Sequence, residues 1–175
     1  SDAGYAPATT ALAERYENGD GVELNNDVER SLYESAANAG FGSASYRLGY
    51  LYVSGIGVDY DNERAMTFYQ QAIEQGEPRG YYGVGQLYEL GYGVEQDYAR
   101  ASEYYQLGAD RREPMSQTAL AYLYEQGLGV AQDYDRSFAL LVDAAGQGWR
   151  FAQAALSIHY LFGQGTAVDA EKGYD

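Results

Sequence analysis

The sequence predicts an all-α protein, a right-handed α-solenoid of stacked αα-hairpins, and three observations predict it. A Gly-x-Gly pair returns at a fixed interval: Gly19 and Gly21, Gly55 and Gly57, Gly91 and Gly93, Gly127 and Gly129, Gly163 and Gly165, each 36 residues after the last and without gaps. Ahead of every pair stand an aliphatic residue and a tyrosine four positions on, the i, i+4 spacing of one helix face. After the first four pairs comes a second run in which two bulky residues are followed four positions later by small ones. A repeat of this length is one supersecondary unit that cannot bury its apolar face alone, so copies must stack into an open array.

Taken in order, residues 1–7 carry no period and read as an unstructured lead-in, with Pro7 suited to a helix start. Residues 8–175 form a single repeat domain with four complete units, 8–43, 44–79, 80–115 and 116–151, and a partial one, 152–175. The first helix of each unit carries Leu12, Leu48, Val84, Leu120 or Leu156 and then Tyr16, Tyr52, Tyr88, Tyr124 or Tyr160. Between them lies Ala13, Gly49, Gly85, Ala121 or Ser157, always small, as close helix approach requires even though glycine costs about 1 kcal/mol of helix propensity. The Gly-x-Gly-Val segment ends this helix, because glycine accepts the left-handed conformation of a cap and a sharp reversal. Asp61, Asp97 and Asp133 then stand where an N-cap is wanted, with Arg64, Arg100 and Arg136 three residues on. The second helix carries Leu32-Tyr33, Phe68-Tyr69, Tyr104-Tyr105 or Leu140-Leu141, then a small pair four residues later, knobs followed by holes. Gly40, Gly76 and Gly148 stop it, and the third copy has Arg112 there instead.

Composition narrows the function. The chain has 175 residues, 46% hydrophobic, with 20 tyrosines against five phenylalanines and one tryptophan, so most aromatic surface carries a hydroxyl suited to half-wet faces and recognition. A net charge of −15 opposes nucleic acid and anionic membranes. Every positive charge but Lys172 is an arginine, which fits either specific arginine pairing or an acidic, lysine-poor proteome of a salt-adapted organism. Without cysteine there is no disulfide framework and no thiolate metal site. No run approaches the roughly 18 apolar residues of a membrane span, and no signal-peptide layout opens the chain. The start at Ser1 leaves a processed secreted form and a trimmed chain both open.

With Leu48-Gly49-Tyr50-Leu51-Tyr52, Gly55-Ile56-Gly57-Val58, Asp61, Arg64-Ala65, Phe68-Tyr69, Ala72 and Gly76 in the second copy, and their counterparts elsewhere, the chain resembles the Sel-one-like repeat family, relatives of the tetratricopeptide repeat. The first copy departs from the pattern, with Asn25 for the capping aspartate and Val28 for the arginine, as a worn terminal cap would. The last stops at Asp175, midway through a second helix, so the expected natural array continues. The resemblance implies an adaptor that gathers other proteins, bacterial and periplasmic or secreted rather than cytoplasmic, acting as a monomer without a cofactor. It also implies two alternatives: an inhibitor or immunity protein for a basic toxin, and a cell-wall or β-lactam-processing hydrolase. The relatives linked to that last activity are cysteine-rich, and this chain has none of their cysteines.

Positions that vary between copies are free to serve a ligand. By similarity to tetratricopeptide arrays the varying first-helix registers line the concave side, so Tyr46, Tyr50, Tyr82, Gln86 and Tyr122 are expected to form an aromatic stripe. Arg47 and Arg79 are expected nearby, with Glu89 and Glu125 on the rim. Tyrosine offers large contact area with few rotors to freeze. The alternative for each ring is burial against the next hairpin. His159, the single histidine, stands in the register of Leu51, Leu87 and Leu123; it is read either as a pH- or metal-sensing ring or as a polar substitution in the core of a terminal unit. No metal-ligand spacing accompanies it. Carboxylate pairs such as Asp59 and Asp61, or Asp133 and Asp135, fall at loops and caps, which explains them without catalysis. No serine has a nucleophile-elbow context, and Gly-x-Gly here ends a helix rather than opening one after a strand.

Overall fold

The computed structural model describes residues 25–174, so the lead-in expected at 1–7 and the first helix expected for the opening copy, with Leu12, Tyr16 and the glycine pair Gly19 and Gly21 after it, lie outside the described residues. The described residues form helices and no strand: α1 (Asn26–Asn38), α2 (Gly42–Ser54), α3 (Asn62–Glu74), α4 (Arg79–Leu90), α5 (Tyr98–Ala109), α6 (Pro114–Gln126), α7 (Tyr134–Gly146), α8 (Arg150–Phe162) and α9 (Ala170–Tyr174). The first helices α2, α6 and α8 begin two residues ahead of the small residue that opens each unit in the sequence reading. The chain divides into two compact units, residues 1–84 and 85–175.

The same local chemistry closes every copy. Gly55, Gly127 and Gly163 cap α2, α6 and α8 in the left-handed conformation, at φ 68°, 66° and 69°. The amides of Asp61, Asp97, Asp133 and Asp169 then donate back to the carbonyls of Tyr52, Tyr88, Tyr124 and Tyr160, at 2.8–3.1 Å. Each aspartate side chain caps the next helix, accepting from the amides of Arg64, Arg100, Arg136 and Lys172 at 2.9–3.2 Å. Asn25 does the same for Val28 at 3.0 Å, so the departure in the first copy preserves the cap. At the other turn, residues 41, 77, 113 and 149 donate to carbonyls five positions back, the Schellman closure. Its left-handed position is held by Gly40, Gly76 and Gly148, and in the third copy by Arg112 at φ 59°, a conformation that strains a side chain.

In unit 1, α2 packs on α1 and α3 around Tyr33, Ala36, Ala44, Leu48 and Leu51. In unit 2, α6 packs on α5 and α7, and α8 on α7 and α9, with Ala121, Leu141, Ala144 and Ala152 buried together. Small residues and rings fit across these contacts. A β-carbon on Gly49 would lie 2.5 Å from the Tyr69 ring, and one on Gly83 also 2.5 Å from it, so that ring fills the slot between two glycines. Gly85 stands in the same relation to Tyr105, at 2.5 Å. Where the knob shrinks to Leu141 the facing register is Ala121, so hole and knob change size together within one chain.

Candidate functional site

Unit 1 gathers three of the expected contact tyrosines. Tyr46, Tyr50 and Tyr82 surround the buried Tyr69, whose phenol is pushed well above its ordinary range by burial and then by those three neighbours. Tyr46 packs on Tyr69 at 5.7 Å between centroids, and Arg79 stacks over the other expected contact ring, Tyr46, at 4.8 Å. Arg79 donates from Nε and Nη2 to the two carboxylate oxygens of Glu77, at 2.8 and 2.9 Å. Burial works to raise the Glu77 carboxyl, but the hydrogen bonds and charge of Arg79 outweigh it and hold the group below the usual carboxylate range. Arg47 is half-buried in the register where Gly83, Ala119 and Ala155 sit in later copies. Tyr46 and Tyr82 are half-buried, and Tyr50 at 42% exposure is the ring this cluster presents outward. Tyr69, the pillar of the cluster, is not among the expected contact residues; its trace in the sequence is the small register at Gly49 that the ring packs against.

In unit 2, Tyr122 is 48% exposed and Gln86 half-buried. The carboxylates expected on the rim turn inward instead. Glu89 accepts from the Tyr105 hydroxyl at 2.5 Å. Glu125 accepts from Ser137 Oγ at 2.7 Å and lies 2.8 Å from His159 Nε2. The physical reason is that the second helix of the same copy presents a buried hydroxyl there, joined for Glu125 by the ring nitrogen of His159 on α8, and a carboxylate in the last turn of the first helix satisfies these groups.

That cluster brings a serine, a histidine and a glutamate together, and its geometry serves structure. His159 is 1% exposed, and its Nδ1 lies 2.6 Å from the Gln164 carbonyl oxygen, so Nδ1 carries a proton and donates. Ser137 Oγ gives its proton to Glu125, with the imidazole nitrogen farther away at 3.5 Å. A nucleophile would need the reverse arrangement, with the carboxylate on Nδ1, the serine on Nε2 and access to solvent. His159 thus occupies a core register and ties α6, α7 and α8 together. No group of three or more His, Cys, Asp or Glu that could hold a metal ion occurs among the described residues.

The cations are largely spoken for. Arg64, Arg100 and Arg136 each reach an aspartate cap, at 3.3–3.5 Å, and donate to the hydroxyls of Tyr52, Tyr88 and Tyr124 at 3.0–3.3 Å. This Asp-Arg-Tyr clamp explains why the arginine and tyrosine recur together, a pairing the sequence analysis did not draw. Arg30, Arg79, Arg112 and Lys172 also sit within 4 Å of carboxylates. Carboxylates are unevenly spread over the helices, paired ones included. Helices α2, α4, α6 and α8 carry only Glu89 and Glu125, both bonded inward, whereas α1, α3, α5 and α7 carry eight. No helix among the described residues is long and apolar enough to cross a membrane.

The sequence profile of the Sel1 repeat matches residues 6–41, 42–77, 78–112, 114–149 and 150–175. A Sel1 repeat protein from Oxalobacter formigenes is 33% identical, with a TM-score of 0.91 over 98% of this chain and 68% of that one. A protective antigen of uropathogenic Escherichia coli, described as displaying an SLR fold, is 34% identical, with a TM-score of 0.79 over 97% of this chain and 36% of its own. An immunity protein from Pseudomonas aeruginosa shares the fold at 24% identity, with a TM-score of 0.66 over 89% of this chain and 57% of its own. A search of curated proteins finds no match.

Proposed function

The chain belongs to the Sel1 repeat family, an all-α tandem-repeat class whose members generally mediate protein–protein interaction, and on that premise we propose that it is a non-enzymatic scaffold holding a peptide or protein segment on its first-helix side. The observation that carries this is Tyr50, outward on a helix without carboxylates and backed by Tyr46, Tyr82 and Tyr69. A rigid aromatic platform already ordered by its own core offers a partner area at little entropic cost. Arg47 and Arg79 flank it in unit 1. In unit 2, Tyr122 is the outward ring, with Gln86 in the same register one copy earlier, while Glu89 fixes α4, which bears Gln86, against α5, and Glu125 fixes α6, which bears Tyr122, against α7.

Affinity capture from a native lysate tests this, with Tyr50→Ala/Tyr82→Ala as the control. Capture is expected to be lost while helicity and melting temperature stay close to those of the parent. Undiminished capture by that variant moves the site away from the tyrosines.

The −15 charge and the internal pairing of most cations support a second reading, neutralisation of a basic partner. It predicts association rates that fall steeply with salt; salt-insensitive association counts against it. A hydrolase would have to work through His159, whose Nδ1 is committed to a backbone carbonyl. Turnover abolished by His159→Ala would revive that alternative.

A further inference from the structure

The second-helix side of unit 2 bears a surface of different chemistry from the tyrosines. Between α5 and α7, with α6 beneath, runs an open groove whose two parts, of about 390 and 420 Å3, meet at Gln106 and Tyr124. Leu107, Leu120, Val130 and Leu140 contribute to a lining that is mostly apolar, and Leu107 is 42% exposed. The groove belongs to the repeat rather than to one accident of packing. In unit 1 a pocket of about 350 Å3 is lined by Glu34, Asn38, Tyr52, Arg64, Thr67 and Phe68; the residues 72 positions later all line the unit 2 groove.

Charge indicates what the groove takes. Its cation Arg136 is held by Asp133 at 3.4 Å and by the Tyr124 hydroxyl, and Asp143 is paired with Arg112 at 2.9 Å. Those pairs cancel, leaving on the α5 edge Glu103, which shares the field of Arg100 with the capping Asp97, and Asp110, which accepts from Gln106 Nε2 at 2.8 Å, on a chain whose net charge is −15. Glu103 and Asp110 are seven residues apart, about 10 Å along the helix, with Leu107 between them. Two cations at i and i+7 of a docked helix match that spacing, and the apolar face between them matches the floor.

We propose that this outer groove docks a basic amphipathic helix of a partner protein, aliphatic side chains on the Leu107 and Leu140 floor and Lys or Arg against Glu103 and Asp110. The surface is separate from the tyrosine platform, so either can fail without the other.

The test is fluorescence anisotropy of the whole chain with a labelled amphipathic peptide of leucine and lysine, its glutamate counterpart, and amide chemical shifts to locate binding. The lysine peptide is expected to shift amides of Leu107, Ala139 and Leu140. Glu103→Lys/Asp110→Lys is expected to weaken it at least about tenfold, a loss of about 1.4 kcal/mol. Ala139→Trp, at an exposed groove residue and without charge change, should weaken it comparably, while Tyr50→Ala/Tyr82→Ala leaves it unchanged. Affinity that moves less than about twofold in both groove variants overturns the proposal, since general attraction to an acidic surface then suffices. Equal binding of the glutamate peptide, or shifts spread evenly over the acidic helices, overturns it too.

Discussion

The Tyr69 ring between Gly49 and Gly83 sets up a double-mutant cycle whose outcome the geometry fixes in advance. In Gly49→Ala the new β-carbon would sit 2.5 Å from two ring carbons, about 1 Å inside the usual 3.5–4.0 Å carbon contact. The ring has little room to give, because it also packs against Gly83, where a β-carbon would again lie 2.5 Å from it. Overpacking of this kind costs up to about 3 kcal/mol. Replacing a helical glycine by alanine returns about 1 kcal/mol, so the net destabilisation is about 2 kcal/mol. Tyr69→Leu alone should cost about 2 kcal/mol through lost burial and a cavity. The double variant recreates the Ala121–Leu141 combination that the fourth copy already uses, and should cost about 1–2 kcal/mol rather than the sum. Urea unfolding followed by far-UV circular dichroism reads this, with unchanged m-values as the check that the same structure is lost. Coupling below about 0.5 kcal/mol would mean the two positions act independently and would refute the knob-and-hole reading.

Three further outcomes are expected. Arg112→Gly removes left-handed strain of about 1–2 kcal/mol and an exposed ion pair of at most about 1 kcal/mol. Thermal melting should therefore rank Gly above Arg above Ala at position 112, whereas Gly76→Ala, whose β-carbon meets nothing within 4 Å, should lower stability by the strain alone. Glu77, held below the usual carboxylate range, contributes stability that is present above its unfolded value of about 4.3 and lost as pH falls through its lower folded value. Urea midpoints of the parent and Glu77→Gln should accordingly differ at neutral pH and converge near pH ~2. Tyr88→Phe opens the clamp on Arg100, whose side chain is 60% exposed, and should leave the urea midpoint nearly where it is in the parent; a clear drop would show the clamp to be more than a surface contact.

Period and composition were enough to read the helix pairs, because the residues that end and begin helices act locally. Gly55 takes a left-handed conformation and Asp61 caps α3 through contacts within three or four residues, so spacing alone exposes them. Arg112 shows the limit of that logic. Its register demanded glycine and the turn forms regardless, since the Schellman hydrogen bonds from residues 112 and 113 are made by backbone that any residue supplies. Likewise Asn25 keeps the cap that the sequence pattern treated as worn. Strength of a motif in sequence is thus a guide to where a turn lies and a poorer guide to whether it closes.

The site was less legible because varying positions were taken as free ones, and a position can vary while still serving the stack. Glu89 meets Tyr105 and Glu125 meets Ser137 and His159: the carboxylate persists while its buried partner changes from a phenol to a hydroxyl and an imidazole. Neither choice is visible from the first helix alone, because the partner comes from the second helix of the same copy and, for His159, from the copy after. Arg79 stacks directly on Tyr46 and is held there by Glu77, which lies outside both helices. Of the expected contact residues, Tyr50 in one unit and Tyr122 in the other are the exposed ones. Both lie on first helices whose few carboxylates face inward, while most of the acids sit on second helices and loops. A partner drawn by charge and a partner held by tyrosine would therefore meet different sides of the same copies, and salt dependence measured alongside Tyr50→Ala separates them.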